Sequence, residues 1–107
     1  MSSFGQTIAE ARKQAGLTQK ELAAKLKKED GTTISPQYLN DIEHDRRGAP
    51  PDVLLRQLSK ILDLDLDLLA FRAGRLPENL IDHRADPGRV AEAFKAFRRK
   101  IGKGGAT

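Results

Sequence analysis

Side chains able to do chemistry are few in this sequence, and their types favour recognition over catalysis. There is no cysteine, which removes disulfides, thiolate metal sites and thiolate nucleophiles together. His44 and His83 lie far apart, with no Asp/Glu/His cluster at ligand spacing around them, so no metal is expected. Asp63, Asp65 and Asp67 alternate with leucines as a helix-capping region does. No glycine-rich phosphate loop and no Ser/His/Asp grouping in a plausible order accompanies them, so no catalytic residue, cofactor or enzyme activity is expected. What remains is the stretch from Ser35 to Arg47, which concentrates hydrogen-bonding groups: Gln37, Asn40, Asp41, His44, Arg46 and Arg47. Carboxamides present a donor beside an acceptor, carboxylates only accept, and guanidinium groups suit phosphate.

The elements that must position these groups can be read from start and stop signals. Ser3 with Gln6 three residues on opens a first helix, Ile8, Ala11 and Ala15 recur at helical spacing, and Gly16 closes it. Thr18-Gln19-Lys20-Glu21 is a capping box opening a second helix with Leu22, Ala23 and Leu26 inward. The polar run KKEDGTT, with an Asp30-Gly31 turn signal, reads as a loop. Ser35-Pro36 starts a third helix, with Ile34 able to staple onto Leu39 and with Leu39 and Ile42 facing the core. Pro50 and Pro51 restart the chain as a fourth helix carrying Leu54, Leu55, Leu58, Ile61 and Leu62 on one stripe. Asp65 caps a fifth helix that Gly74 and Pro77 close; the alternation in LDLDLDLL also fits a strand, but no partner strand is in sight. Asp86-Pro87 opens a sixth helix, about 87–101, whose Val90, Phe94, Phe97 and Ile101 form an apolar seam against a basic back.

The 107 residues suit one core and a short appendage: a domain over 1–77, then 78–107 as connector, amphipathic helix and disordered glycine-rich tail. The net charge of +4 suggests a polyanionic partner, but its excess sits in the tail. There, Arg89, Lys95, Arg98, Arg99, Lys100 and Lys103 face only Asp86 and Glu92. Basicity alone is therefore a weak argument for nucleic acid. No apolar export signal or membrane-length run is present, so a soluble, cytoplasmic protein without membrane association is expected.

The order and spacing of GLTQKELA, the pattern S-x-x-Y-L-x-x-I-E from Ser35 to Glu43, and the stripe ending in ILDLDLDLL resemble the Cro-type, XRE helix-turn-helix family of phage repressors and related bacterial regulators. The resemblance covers roughly residues 4–74, with a turn between helices two and three that is longer than the usual motif. It implies an all-α fold, a compact five-helix lambda-repressor-like domain, here with an additional C-terminal amphipathic helix. It further implies sequence-specific binding of double-stranded DNA, with helix three in the major groove.

By that resemblance Thr18 and Gln19 hold a phosphate at a helix N-terminus, with Arg46, Arg47, His44 and the Tyr38 hydroxyl as further backbone contacts. Because Leu39 and Ile42 face inward, Pro36, Gln37, Asn40 and Asp41 form the base-reading face. Gln37 and Asn40 can each pair with adenine, and Asp41 can accept from cytosine. The family also implies a partly buried ion pair between Arg12 and Glu43. The seam of Val90, Phe94, Phe97 and Ile101 must dock, either on helix five near Leu68, Leu69 and Phe71 or against a second copy of the chain. The expected function is a transcriptional regulator, in the first instance a repressor acting as a homodimer. The alternative is a protein-interaction module or antitoxin-type protein that binds a protein partner on the same fold.

Overall fold

A computed structural model describes residues 2–76, 80 and 84–102. Pro77, His83, most of the connector and the glycine-rich tail, each given a role above, lie outside the described residues. Those described form six helices: α1 (Phe4–Gln14), α2 (Gln19–Lys25), α3 (Pro36–Glu43), α4 (Asp52–Leu62), α5 (Leu66–Arg72) and α6 (Pro87–Ile101). None is long and apolar enough to cross a membrane.

The caps explain where the helices start. Ser3 Oγ accepts from Gln6 N at 3.1 Å while Gln6 Oε1 accepts from Ser3 N at 3.0 Å, a reciprocal box that satisfies two amides the helix leaves free. Ser35 Oγ accepts from Tyr38 N at 3.0 Å, and Pro36 fills the first helical position, where its missing N–H costs nothing. Asp65 caps α5 and Asp86 caps α6 through carboxylates accepting from Leu68 N and Arg89 N, both at 3.0 Å. The LDLDLDLL stretch is thus the end of α4, a turn through Asp63 and the start of α5, with no strand. Gly16, at φ +74°, ends α1 as expected, but Ala15 is exposed because the helix stops at Gln14 and Ala15 is already its cap.

One core joins α1 to α5. Ile8, Leu22, Leu26, Leu39, Leu55, Leu58 and Leu69 are essentially fully buried in it. Each such side chain contributes roughly 1.5–3 kcal/mol relative to exposure. Leu69 was expected in the docking seam; at 1% exposure it belongs instead to this core. The reason is helical phase: α5 turns Leu69 and Ala70 inward, leaving Leu68 and Phe71 outside.

The polar run between α2 and α3 is more ordered than a loop. Lys27 and Thr33 pair as an antiparallel bridge, Lys28 N donates to Thr32 O at 2.8 Å, and Gly31 N donates to Lys28 O at 2.9 Å. Gly31 sits at φ +87°, the left-handed position that this tight hairpin requires. Buried Leu26 and Ile34 close its base, Ile34 N donating to Leu26 O at 3.1 Å. The side chain of Gln57 on α4 then pairs with both backbone groups of Lys27, at 2.8 and 2.7 Å, as a neighbouring strand would.

The sixth helix stands apart. None of its residues is buried, and it meets the domain at the Phe97 ring, 5.9 Å from that of Phe71. Val90, Phe94, Phe97 and Ile101 remain 39%, 40%, 47% and 54% exposed.

Candidate nucleic-acid interface

The interface begins in the core. Arg12 on α1 donates through Nε and a terminal nitrogen to both oxygens of Glu43 on α3, at 2.6 and 3.0 Å. Its third donor reaches the carbonyl of Leu17 at 2.8 Å. A buried charge is costly unless paired and hydrogen-bonded, and this pair meets both conditions with bidentate geometry. The effect is to lock the C-terminal end of α3 to α1.

From Glu43 a line of polar contacts runs outward. Gln19, the first residue of α2, donates from Nε2 to Glu43 Oε1 at 2.9 Å. Asn40 donates from Nδ2 to Gln19 Oε1 at 3.3 Å, and Arg46 donates to Asn40 Oδ1. Arg46 also reaches Asp41 Oδ1 at 3.2 Å, and the same oxygen accepts from Gln37 Nε2 at 2.9 Å. Four of the residues assigned to base reading or phosphate binding, Gln37, Asn40, Asp41 and Arg46, are thus one connected surface rooted on Gln19. Pro36 is exposed at its leading end.

The remaining backbone-contact residues flank this surface. Thr18 caps α2, its hydroxyl accepting from Glu21 N at 3.0 Å while Glu21 Oε1 accepts from Thr18 N at 2.9 Å. Those bonds from the Thr18 backbone and side chain hold the Glu21 carboxyl below its ordinary pKa. Tyr38 is half-buried with its ring against the core, and the Arg47 guanidinium stacks on it at 4.4 Å from the centroid. Arg47 is therefore held over an aromatic face instead of waving in solvent. His44 Nδ1 lies 2.9 Å from the carbonyl of Asn40, which can only accept, so that nitrogen carries the proton.

Sequence reasoning missed a second clasp on α3. Asp45, just past the helix, adopts φ +56° and accepts from Ser3 Oγ at 2.6 Å and from Gly5 N at 3.0 Å. Gly5 is where α1 touches the end of α3: a Cβ there would stand 2.4 Å from Ile42 O and 2.6 Å from Glu43 O. Only the pairing of a glycine near the chain start with an aspartate after α3 signalled it, and neither has a periodicity to betray it.

The helix-turn-helix family model matches residues 8–69, more than half of the chain. The chain belongs to that family. It is a DNA-binding transcription regulator of the XRE type, as the reading of GLTQKELA and Ser35 to Glu43 implied. Among solved structures, a chain of the SinR protein/SinI protein complex is similar to it, with a TM-score of 0.51 and 25% identity over 94% of this chain and 84% of that one. No curated protein matches the sequence closely. The family match takes in α2, the hairpin and α3, so the lengthened turn is an elaboration within the family's motif and not a break in it.

Proposed function

We propose that the protein represses transcription by binding operator DNA as a homodimer, with α3 of each copy in a major groove. The observation that carries this reading is the continuous polar surface from Gln19 through Asn40 and Arg46 to Asp41 and Gln37. It joins groups suited to base edges with groups suited to phosphate on one helix and its flanks. Pro36, Gln37, Asn40 and Asp41 read bases; Thr18, Gln19, Tyr38, His44, Arg46 and Arg47 contact the backbone.

The domain over 1–77 does the reading and the segment 78–107 does the pairing. The seam of Val90, Phe94, Phe97 and Ile101 is too apolar to leave in water and stays 39–54% exposed, with Phe97 against Phe71 of α5 and Leu68 exposed on the same helix. A second copy covering it places two recognition helices on a palindromic site, where half-sites lie about 34–36 Å apart.

Footprinting on random genomic fragments, followed by transcription from the protected promoter with and without the protein, tests the reading. Protection of a palindrome and lower transcript support it; higher transcript makes the protein an activator, and no protection removes the DNA-reading role. A second reading, in which the seam takes a different protein, is favoured by the similar SinR/SinI chain, whose solved structure is a complex of two proteins. Light scattering of the purified chain separates them: a monomer at micromolar concentration favours the foreign partner.

A further inference from the structure

The line of contacts from Glu43 to Asn40 has a polarity, and that polarity carries information. An ionised carboxylate accepts hydrogen bonds and cannot donate. Both Glu43 oxygens accept from the Arg12 guanidinium, which can only donate, and Gln19 turns its NH2 group toward Glu43 Oε1. Gln19 Oε1 then faces Asn40, which must answer with its own NH2. The Asn40 amide is thereby fixed, its Oδ1 directed away from Gln19 and met by the Arg46 guanidinium, a pure donor. Without the relay a carboxamide can turn over, exchanging oxygen for nitrogen at little cost, and would present either edge.

We propose that Gln19 is a specificity-determining positioning residue: it transmits the charge order of the buried Arg12–Glu43 pair to Asn40 and fixes which edge of that amide the DNA meets. The edge so fixed is Oδ1 beside the one N–H not given to Gln19. An acceptor beside a donor matches adenine, which offers its N6 amino group and N7, and mismatches guanine, which offers O6 and N7, two acceptors. Arg46 occupies Oδ1 in the free protein, and on binding it yields that oxygen to the adenine amino group. The inference rests on the reading of α3 as the major-groove helix.

The test uses the full-length chain and a randomised duplex pool. Selection with the unaltered protein and with Asn40→Ala identifies the base position that Asn40 reads; adenine is expected there, and guanine would overturn the relay. If Asn40→Ala changes no position, Asn40 reads no base and the relay as a specificity device fails with it. Loss of all selectivity by the unaltered protein instead marks failure of the DNA-reading assignment itself. Gln19→Met keeps the length and removes both hydrogen bonds. It is expected to lower discrimination at the Asn40 position about tenfold and to leave the preferences at other positions unchanged. An equal loss on every sequence, with preferences intact, would reduce Gln19 to a backbone contact and overturn the proposal. A second readout needs no DNA: the two side-chain amide proton resonances of Asn40 should be well dispersed and slow to exchange in the unaltered protein. In Gln19→Met they should move to free-amide values. Resonances that do not move overturn the proposal even if the variant binds DNA poorly.

Discussion

Arg12 and Glu43, 31 positions apart in sequence, meet side chain to side chain at 2.6 Å with both residues buried. The contact ties α3 to α1 at the end away from its Ser35 cap. It leaves one carboxylate oxygen, Glu43 Oε1, shared between Arg12 and the first residue of α2. Three helices thus converge on a single acidic group.

Removing the cation should therefore cost far more than a surface ion pair does. Arg12→Met is expected to destabilise the fold by about 3–5 kcal/mol, because it leaves Glu43 buried and unpaired. Chemical denaturation measures this directly. A change below about 1 kcal/mol would mean that Glu43 is solvated.

Gly5 makes a prediction of the opposite kind, in which adding one methyl does harm. Gly5→Ala drives a carbon into the carbonyls of Ile42 and Glu43, and α1 must shift relative to α3. A loss of about 1–3 kcal/mol or more is expected, as for other overpacked sites. An unchanged melting temperature would show that the two helices do not approach this closely.

Arg46 and Arg47 should separate from Gln37 in their salt dependence. Changing either arginine to alanine is expected to weaken binding to all sequences and to lower the slope of log affinity against log salt by about one. Gln37→Ala should instead cost about 1–3 kcal/mol at one base position and leave the slope alone. The same slope for all three variants would contradict the division into backbone and base contacts.

Acid should loosen the start of α2. The Glu21 carboxyl is held below its ordinary value by Thr18, so its charged form favours the folded state. That contribution is complete above the pKa of an unfolded glutamate and is lost as pH falls through the lower folded value. An NMR titration should place the Glu21 midpoint below that of a free glutamate, and Thr18→Ala, which removes the side-chain bond but keeps the backbone N–H, should bring it part of the way back up. A midpoint indifferent to Thr18→Ala would show that the Thr18 side chain makes no bond to Glu21 in solution.

Truncation before Asp86 tests the role of α6. The shortened chain keeps its whole buried core, since no residue of α6 is buried. It should remain folded, become monomeric and bind operator much more weakly, as read by light scattering and gel shift on one sample. A truncated protein that still pairs and binds as tightly would remove α6 from the interface between copies.

The start of every helix was legible because the signals are local, Pro50 and Pro51 immediately before α4 included. Ser3, Thr18, Ser35, Asp65 and Asp86 each cap the helix whose first turn they precede. The Arg12–Glu43 contact was legible only through resemblance, since nothing within either helix points to the other. Asp45 with Gly5 and Gln57 with Lys27 escaped notice because each joins a side chain to backbone 30 or more positions away, where composition has nothing to say. Leu69 was misplaced because the alternating leucines of LDLDLDLL do not reveal which face of the helix meets the core.

The hairpin between α2 and α3 begins and ends on residues already secured, Leu26 and Ile34 in the core and Lys27 by Gln57. Its tip, Lys28 to Thr32, bears none of the load of holding the two helices at their angle. Loop closure grows only slowly more costly with length, so the tip can lengthen, shorten or exchange its charges without disturbing the helix that follows. Structurally it is an interchangeable fitting set next to the leading end of α3, a place where a protein of this build can acquire a new contact while the rest of the domain stays as it is.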